Sequence, residues 1–178
     1  MKNVYEKCPV YETDSFILRM VELEDAEALL ACYSDKQNVK KLNSDYCTSD
    51  FYYSTVEEMK QCIRFWLEEY EKQYYVRFAL IPKTESQAIG TVEIFGGEFG
   101  VLRIDLAQKY YTENNFEEII RLSMDSFIDD FGIGSIKIKT SNIQEMINCL
   151  EKMGFVPSNT YRTEMGYHEL NVKGACNQ

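Results

Sequence analysis

The chain has 178 residues, of which 45% are apolar and 27% are charged, and its net charge is −10. This length provides one substantial hydrophobic core and leaves little room for a second, so we expect a single domain over residues 1–178. The excess of acidic side chains opposes nonspecific nucleic-acid binding, which depends on neutralising phosphates with Lys and Arg.

Hydropathy and cysteine spacing exclude further classes of protein. No apolar run approaches the length of a bilayer span, and the opening MKNVYEKCPVYE lacks the apolar core of a signal peptide. We therefore expect a soluble cytoplasmic protein that does not bind membranes. The six cysteines are scattered without a CxxC pair, and this spacing does not indicate a metal site. Cys32, Cys62 and Cys149 fall within helical patterns and are typical of small buried side chains.

The first part of the chain predicts a strand followed by two helices. FILRMV alternates in polarity as a strand does, and LEDAEALLACYSD carries apolar side chains at helical spacing. A polar and aromatic loop follows. A long helix then begins at Thr55, because Thr55 and Glu58 have the spacing of a capping box.

The rest of the chain predicts six more strands and two more helices. The strands are YYVRFALI, AIGTVEIF, GVLRIDLA, SIKIKTS, FVPSNTYRT and EMGYHELNV. One helix follows GVLRIDLA and ends at Gly132, and another runs over NIQEMINCLEKM to Gly154, with Asn142 and Glu145 at the spacing of a cap. The predicted class is α+β: a mostly antiparallel sheet of seven strands with one parallel β-α-β unit and flanking helices.

The segment from Gly100 to Phe131 has the layout of an anion site. Its strand, its turn QKYYTENN and its helix place a helix N-terminus beside a strand end, and the first N–H groups of a helix have no partner within it. Such sites usually contain glycine, which lets the backbone approach a phosphate. This turn instead contains Thr112, Glu113 and Asn114. The layout favours a nucleotide-type ligand, whereas the residues do not.

The order of elements, the opening FILRMVELEDAEALL, the AIGTVEIF segment and the late EKMGF together resemble the GNAT (GCN5-related) N-acetyltransferase family. The resemblance covers residues 14–172 and is greatest to the ribosomal-protein N-terminal acetyltransferase branch. It implies the acyl-CoA N-acyltransferase fold, with acetyl-CoA where GVLRIDLA and SIKIKTS splay apart. It also implies a pyrophosphate loop of the form Q/R-x-x-G-x-G/A, in which this chain has Tyr111, Asn114 and Phe116 at the defined positions.

The same resemblance implies the positions that contact acetyl-CoA. A backbone N–H at Leu106 or Ala107 would polarise the thioester carbonyl. The ring of Phe116 would stand where backbone and pyrophosphate meet, and Glu113 would compete with a phosphate for the helix dipole. An Asn often opens the last helix near CoA, and Asn142 lies one place early. The expected contact positions are Leu106, Ala107, Tyr111, Thr112, Glu113, Asn114, Asn115, Phe116 and Asn142.

Carboxylates on the central strands are the candidates for the catalytic base. Acetyl transfer requires the amine to lose a proton, and family members often use a carboxylate for this step. Glu98 and Glu93 are the candidates, with Asp105 behind them, and a solvated strand or turn residue is the alternative for each. Lys137 and Lys139 share a strand face, which either meets the CoA phosphates or is the wet side of the sheet.

Two functions follow from the resemblance. The first is an acetyl-CoA-dependent N-acetyltransferase that acts directly on a primary amine of a small molecule or of a protein N-terminus. The second is a catalytically inactive GNAT-fold binding or regulatory module that has lost normal CoA binding. The missing glycines favour the second, as does Leu150, which replaces the Tyr that protonates the leaving thiolate in many members. An amine partner, no metal, and a monomer or homodimer are expected in the first case.

Overall fold

One mixed sheet organises the chain, whose computed structural model describes residues 3–42, 45, 47–95 and 100–171. Its strands are β1 (Tyr11–Glu12), β2 (Phe16–Met20), β3 (Val76–Pro82), β4 (Gly90–Phe95), β5 (Gly100–Leu106), β6 (Ser135–Lys139), β7 (Val156–Pro157) and β8 (Tyr167–Asn171). Their spatial order is β1-β2-β3-β4-β5-β6-β8-β7. Among the strands of the described residues, only the β5–β6 pair is parallel. The predicted fold class is confirmed.

The helices pack on both faces of the sheet. They are α1 (Ala26–Tyr33), α2 (Lys36–Val39), α3 (Val56–Glu71), α4 (Glu113–Leu122), α5 (Ile128–Asp130) and α6 (Gln144–Lys152), with a π-helical segment, Ser123–Phe127, between α4 and α5. The predicted capping box at the start of α3 is confirmed, because Thr55 and Glu58 each accept the other's backbone N–H. Within the described ranges, no helix has the length and apolarity needed to cross a bilayer.

Three details differ from the sequence-based expectation. Tyr11–Glu12 adds an eighth strand by pairing with β2. FVPSNTYRT forms a strand only at Val156–Pro157, since the chain then turns and Arg162 adopts a φ of 46°. Asn142 does not cap α6: it has a φ of 59°, and the helix begins one residue later with Ile143 at the N-cap and no side-chain cap. The left-handed turn at Asn142 takes its side chain out of capping position.

The two faces of the sheet differ in chemistry. The face under α4 and α6 is apolar, with Phe78, Val92 and Leu102 fully buried. The face under α1 and α3 carries charged side chains, and Lys137 on that face is only 2% exposed. This face is therefore buried within the protein and is not a solvent-exposed side of the sheet. Lys137 and Lys139 also lie on the opposite side of the sheet from α4, so they do not face the predicted phosphate loop.

A gap opens between β5 and β6, and it positions the candidate site. The two strands pair only at Gly100–Leu102 against Ile136–Ile138, whereas β5 stays paired with β4 as far as Leu106. Gly90 permits this last pairing, because a Cβ there would lie 2.1 Å from the Asp105 carbonyl oxygen. The end of β5 is thus held on one side and unpaired toward β6, as the resemblance predicted.

Candidate active site

Leu106 presents its backbone to the gap between β5 and β6. Its carbonyl oxygen accepts a hydrogen bond from Asn38 Nδ2 at 2.9 Å, on the side away from β4. The N–H and C=O of one strand residue point to the same side, so the Leu106 N–H also faces the gap. Ala107 points the other way, since its N–H donates to the Ile89 carbonyl at 3.0 Å. Of the two predicted backbone donors, only Leu106 is oriented toward a ligand in the gap.

Asn38 connects this strand end to the loop that precedes α4. The side chain is fully buried, and its Nδ2 also donates to the Cys32 carbonyl at 2.9 Å. Its Oδ1 accepts a hydrogen bond from the Tyr111 hydroxyl at 2.8 Å. Burial raises the pKa of Tyr111 well above its ordinary value, so this hydroxyl keeps its proton. The sequence pattern did not single out Asn38, which lies in the short α2 and acts across 68 residues.

The residues of the predicted phosphate loop form an ordinary helix start. Thr112 is the N-cap of α4, and its Oγ1 accepts from the Asn115 N–H at 3.1 Å. Asn115 Nδ2 in turn donates to the Tyr110 carbonyl at 2.9 Å. The N–H groups of Glu113 and Asn114 lie in the first turn, where a helix offers no acceptor. These two N–H groups are the ones that the helix start offers to an anion.

Two expectations about side chains in this loop need correction. Phe116 does not stand over the helix start: it is fully buried in the core, with its ring centroid 5.7 Å from that of Tyr111. Glu113 turns toward α6, where it accepts from Asn148 Nδ2 at 2.9 Å and pairs with Lys152. The hydrogen bond from Lys152 lowers the pKa of Glu113. Asn142 lies in the exposed turn before α6, and nothing in the geometry assigns it to a cofactor.

These features fit a long ligand with amide groups and a phosphate end. The unpaired edge of β5 offers backbone N–H and C=O groups to amides, and a carbonyl oxygen has two lone pairs, so Leu106 can accept a second hydrogen bond. Lys41 lies beside the loop, with its Nζ 5.5 Å from the Tyr111 ring centroid. It supplies a positive charge beside Tyr111 that no sequence pattern indicated. Acetyl-CoA has both the amide groups and the phosphate end.

A buried charged cluster lies on the α1/α3 face of the same strands. Arg77, Glu93 and Asp105 are each at most 2% exposed. Arg77 donates to Asp105 Oδ2 at 3.0 Å and pairs with Glu93 Oε2. Arg103 Nε lies 3.3 Å from Glu93 Oε1, outside hydrogen-bond geometry. The predicted base Glu93 is therefore held between two guanidinium groups.

Neighbouring side chains fix the orientation of this cluster. The Tyr33 hydroxyl lies 2.8 Å from Thr91 Oγ1 and donates to Asp105 Oδ2 at 3.1 Å. The ring of Trp66 stacks over Arg77, with 4.3 Å between the ring centroid and Cζ. Burial raises the pKa of Tyr33 well above its ordinary value. The other predicted base, Glu98, lies outside the described residues.

A cavity of about 610 Å³ opens from Glu93 toward the surface. It lies between α3, the loop 47–53, the start of β3, the end of β4 and Arg103 of β5. Arg103 ties the loop to β5, since it donates to Cys47 Sγ at 3.1 Å and to the Asp45 carbonyl at 2.8 Å. Seven aromatic side chains line it, namely Phe51, Tyr52, Tyr53, Phe65, Trp66, Tyr75 and Phe95.

Comparisons with known proteins agree with this geometry. Residues 15–156 match the family model of the acetyltransferase (GNAT) domain. Similar solved structures include a ribosomal-protein-S5-alanine acetyltransferase from Vibrio fischeri, at 15% identity over 93% of this chain and 97% of that chain with a TM-score of 0.68. A GNAT-family acetyltransferase from Bacillus anthracis has 16% identity, covers 93% and 100%, and gives a TM-score of 0.68.

A third similar structure holds a ligand. It is a ribosomal L7/L12 alpha-N-protein acetyltransferase in complex with coenzyme A, at 10% identity over 92% of this chain and 98% of that chain, with a TM-score of 0.70. At such identities the likeness shows a shared fold. A search of curated protein sequences found no match.

Proposed function

The chain belongs to the GNAT N-acetyltransferase family, and on that premise we propose that it transfers an acetyl group from acetyl-CoA directly to a primary amine of a small molecule or of a protein N-terminus. The observation that carries the proposal is the orientation of Leu106 at the open end of β5. Its N–H faces a gap between parallel strands, and a cavity lined by Glu93 lies on the α1/α3 face of the same sheet, beside Arg103 of β5.

Acetyl-CoA would occupy this gap as the acetyl donor and supply the activated thioester. The Leu106 N–H is placed to donate to the thioester carbonyl oxygen, on which negative charge develops during transfer. The N–H groups of Glu113 and Asn114, together with Lys41, are the groups that favour its phosphates. The contacts from Leu106, Glu113 and Asn114 use backbone atoms, so the missing glycines do not remove these N–H groups.

The amine would approach through the cavity beside Glu93. In the transfer, the amine nitrogen bonds to the acetyl carbon, the carbon–sulfur bond breaks, the nitrogen loses a proton and the thiolate gains one. Glu93 is part of the cavity lining, and its Oε1 has no hydrogen-bond donor in the described part of the chain and lies 3.3 Å from Arg103 Nε, so we assign to this carboxylate the acceptance of a hydrogen from the amine. Glu93 is the base that we propose, as the sequence analysis predicted.

A thermal-shift titration with acetyl-CoA, and separately with CoA, tests the proposal. A ligand at a hundred times its dissociation constant adds about 2.7 kcal/mol of stability. We expect a saturable rise in melting temperature with both ligands, followed by thiol release when an amine is added with acetyl-CoA. Glu93→Gln is expected to keep the thermal shift and to lose most of the transfer rate. No shift at millimolar acetyl-CoA would contradict the proposal.

A second candidate function is a GNAT-fold binding module without transferase activity. It is favoured by Asn38, whose amide already donates to the Leu106 carbonyl where a ligand amide would bind. Asn38→Ala frees that carbonyl oxygen. If only this variant binds acetyl-CoA, the wild-type chain is a binding module. If both proteins bind it with affinities within a few-fold, Asn38 does not block the gap and the transferase stands.

A further inference from the structure

We propose that the cavity beside Glu93 takes a primary amine that carries an aromatic ring, with the ring between the aromatic walls and the ammonium group at Glu93. This inference rests on the proposed function, because it names the substrate class of the same site. Size, wall chemistry and charge each support it. A cavity of about 610 Å³ is within the range of small-molecule sites.

The aromatic side chains of the cavity wall can pack against a flat ring. Trp66 and Tyr75 are nearly buried, and the rings of Tyr75 and Phe95 pack with 4.9 Å between centroids at an angle of 52°. Phe65 lies at the mouth and is 52% exposed, although it is a large apolar side chain. A ligand ring gains offset or edge-to-face contacts with these rings, which an aliphatic chain of equal size does not make.

The charges lining the cavity favour a cation. The positive charges of Arg77 and Arg103 are already matched by Glu93 and Asp105 in the buried cluster. Glu58, which accepts from the Ser54 and Thr55 N–H groups, also lines the cavity. So does Glu69, which pairs with Lys72 at 2.9 Å. The lining therefore holds three carboxylates and two guanidinium groups. An ammonium group has three N–H donors and no acceptor, so it complements the Glu93 carboxylate in the lining. An aromatic carboxylic acid would bring negative charge toward these carboxylates.

A protein N-terminus fits this cavity less well. An extended peptide brings a backbone N–H and C=O with each residue, and these groups need hydrogen-bond partners when water is removed. The seven aromatic side chains of the wall offer ring faces and edges, which do not pair with backbone amides. A small ring-bearing amine brings no such groups, so its burial leaves no amide unpaired.

The only tryptophan of the chain reports on this cavity directly. Trp66 is part of its wall, so its fluorescence is followed while 2-phenylethylamine is added without any acetyl-CoA. n-Hexylamine is the control that lacks the ring, and 3-phenylpropionate is the control that lacks the amine. We expect a saturable change with 2-phenylethylamine, at about tenfold higher affinity than with either control.

Two exposed aromatic residues provide matched variants. Phe65→Ala shortens a wall side chain, and Tyr74→Ala shortens a neighbour that is 61% exposed and outside the cavity lining. Neither side chain is in the core, so both variants should fold. Phe65→Ala is expected to weaken 2-phenylethylamine binding about fivefold, whereas Tyr74→Ala leaves it unchanged.

Other results would overturn the substrate class. Equal affinity for hexylamine, tighter binding of phenylpropionate, or tighter binding of a short peptide with a free N-terminus would each do so. The absence of any fluorescence change at millimolar amine would do so as well. Since the titration contains no acetyl-CoA, it is separate from the thermal-shift test. If the amine binds but acetyl-CoA does not raise the melting temperature, the transferase proposal is wrong. If acetyl-CoA raises the melting temperature but 2-phenylethylamine binds no more tightly than n-hexylamine, only this inference is wrong.

Discussion

Arg77 holds together the buried charges of the candidate site. Its guanidinium contacts Glu93 and Asp105, all three being at most 2% exposed. Arg77→Met removes the positive charge and leaves two nearly buried carboxylates without this partner. Breaking a buried pair in this way costs about 3–5 kcal/mol. We expect a loss of this size in the free energy of unfolding, measured by urea denaturation.

The control for this variant is an exposed arginine. Arg64 pairs with Glu57 at 3.1 Å, and both side chains are largely exposed. Exposed pairs contribute at most about 1 kcal/mol, so Arg64→Met should change the unfolding free energy by no more than that. If the two variants lost similar amounts, the charge network around Arg77 would not be a main source of stability.

The Cys62 thiol on the cavity wall makes stability depend on alkaline pH. Burial raises the pKa of Cys62 from 9.0 to about 11. Between these two values the unfolded chain loses the thiol proton while the folded chain keeps it, so unfolding is favoured as pH rises. We expect the free energy of unfolding to fall between about pH 9 and pH 11, and to fall less steeply in Cys62→Ala. Parallel curves for the two proteins would contradict this assignment.

At the scale of single elements, Gly154 follows the end of α6 in a left-handed conformation that other residues adopt less readily. Its φ is +84°, and a Cβ built there would meet nothing within 4 Å. The cost of Gly154→Ala is therefore conformational and not steric. Left-handed backbone costs an L-residue about 1–2 kcal/mol, and we expect that loss in thermal or urea unfolding.

Asn tolerates this conformation better than Ala, and it supplies the matched control. Gly154→Asn should lose clearly less stability than Gly154→Ala. Equal losses in the two variants would mean that the backbone at this position relaxes away from a left-handed turn.

Elements with strong local signals were predicted from the sequence, and those set by distant contacts were not. The capping box of Thr55 and Glu58 is a local signal, and it fixed the start of α3. The turn at Asn142 depends on how β6 meets α6, so the local cap pattern was misleading there. β1 is two residues long and exists only by pairing with β2, which no pattern in its own sequence indicates.

The candidate site was predicted only in part, for the same reason. Leu106 and Glu93 were placed by the resemblance, since they lie on strands that it aligned. Arg77 reaches Asp105 across 28 residues, and Tyr33 reaches it across 72. Such partners meet only when the sheet register is known. The burial of Phe116 was missed because its position in the family loop suggested a contact with ligand, whereas its helical face turns it into the core.

At the scale of the whole molecule, the two faces of the sheet have different roles. The apolar face holds α4 and α6 and carries most of the core. The opposite face carries the charged cluster and the cavity. The gap between β5 and β6 lies between these two regions, where Asn38 of α2 donates a hydrogen bond to the Leu106 carbonyl. A donor bound in the gap would lie at Leu106, and an amine bound in the cavity would lie nearer Arg103 of the same strand.

Amide exchange along β5 tests this arrangement in the intact protein. β5 stays paired with β4 to its end but with β6 only at Gly100–Leu102. N–H groups alternate along a strand, so Ile104 and Leu106 face the gap, while Arg103 and Asp105 face β4. Without ligand we expect Ile104 and Leu106 to exchange faster than Arg103 and Asp105 in NMR-detected hydrogen exchange.

Acetyl-CoA is expected to change this pattern at one end only. Binding in the gap gives the Leu106 N–H an acceptor and excludes water, so its exchange should slow, together with that of Glu113 and Asn114 at the start of α4. Asp105 already donates within the sheet and should change little, which makes it the internal control. If acetyl-CoA raised the melting temperature but left Leu106 exchange unchanged, the donor would bind elsewhere, and the end of β5 would not be the place of transfer.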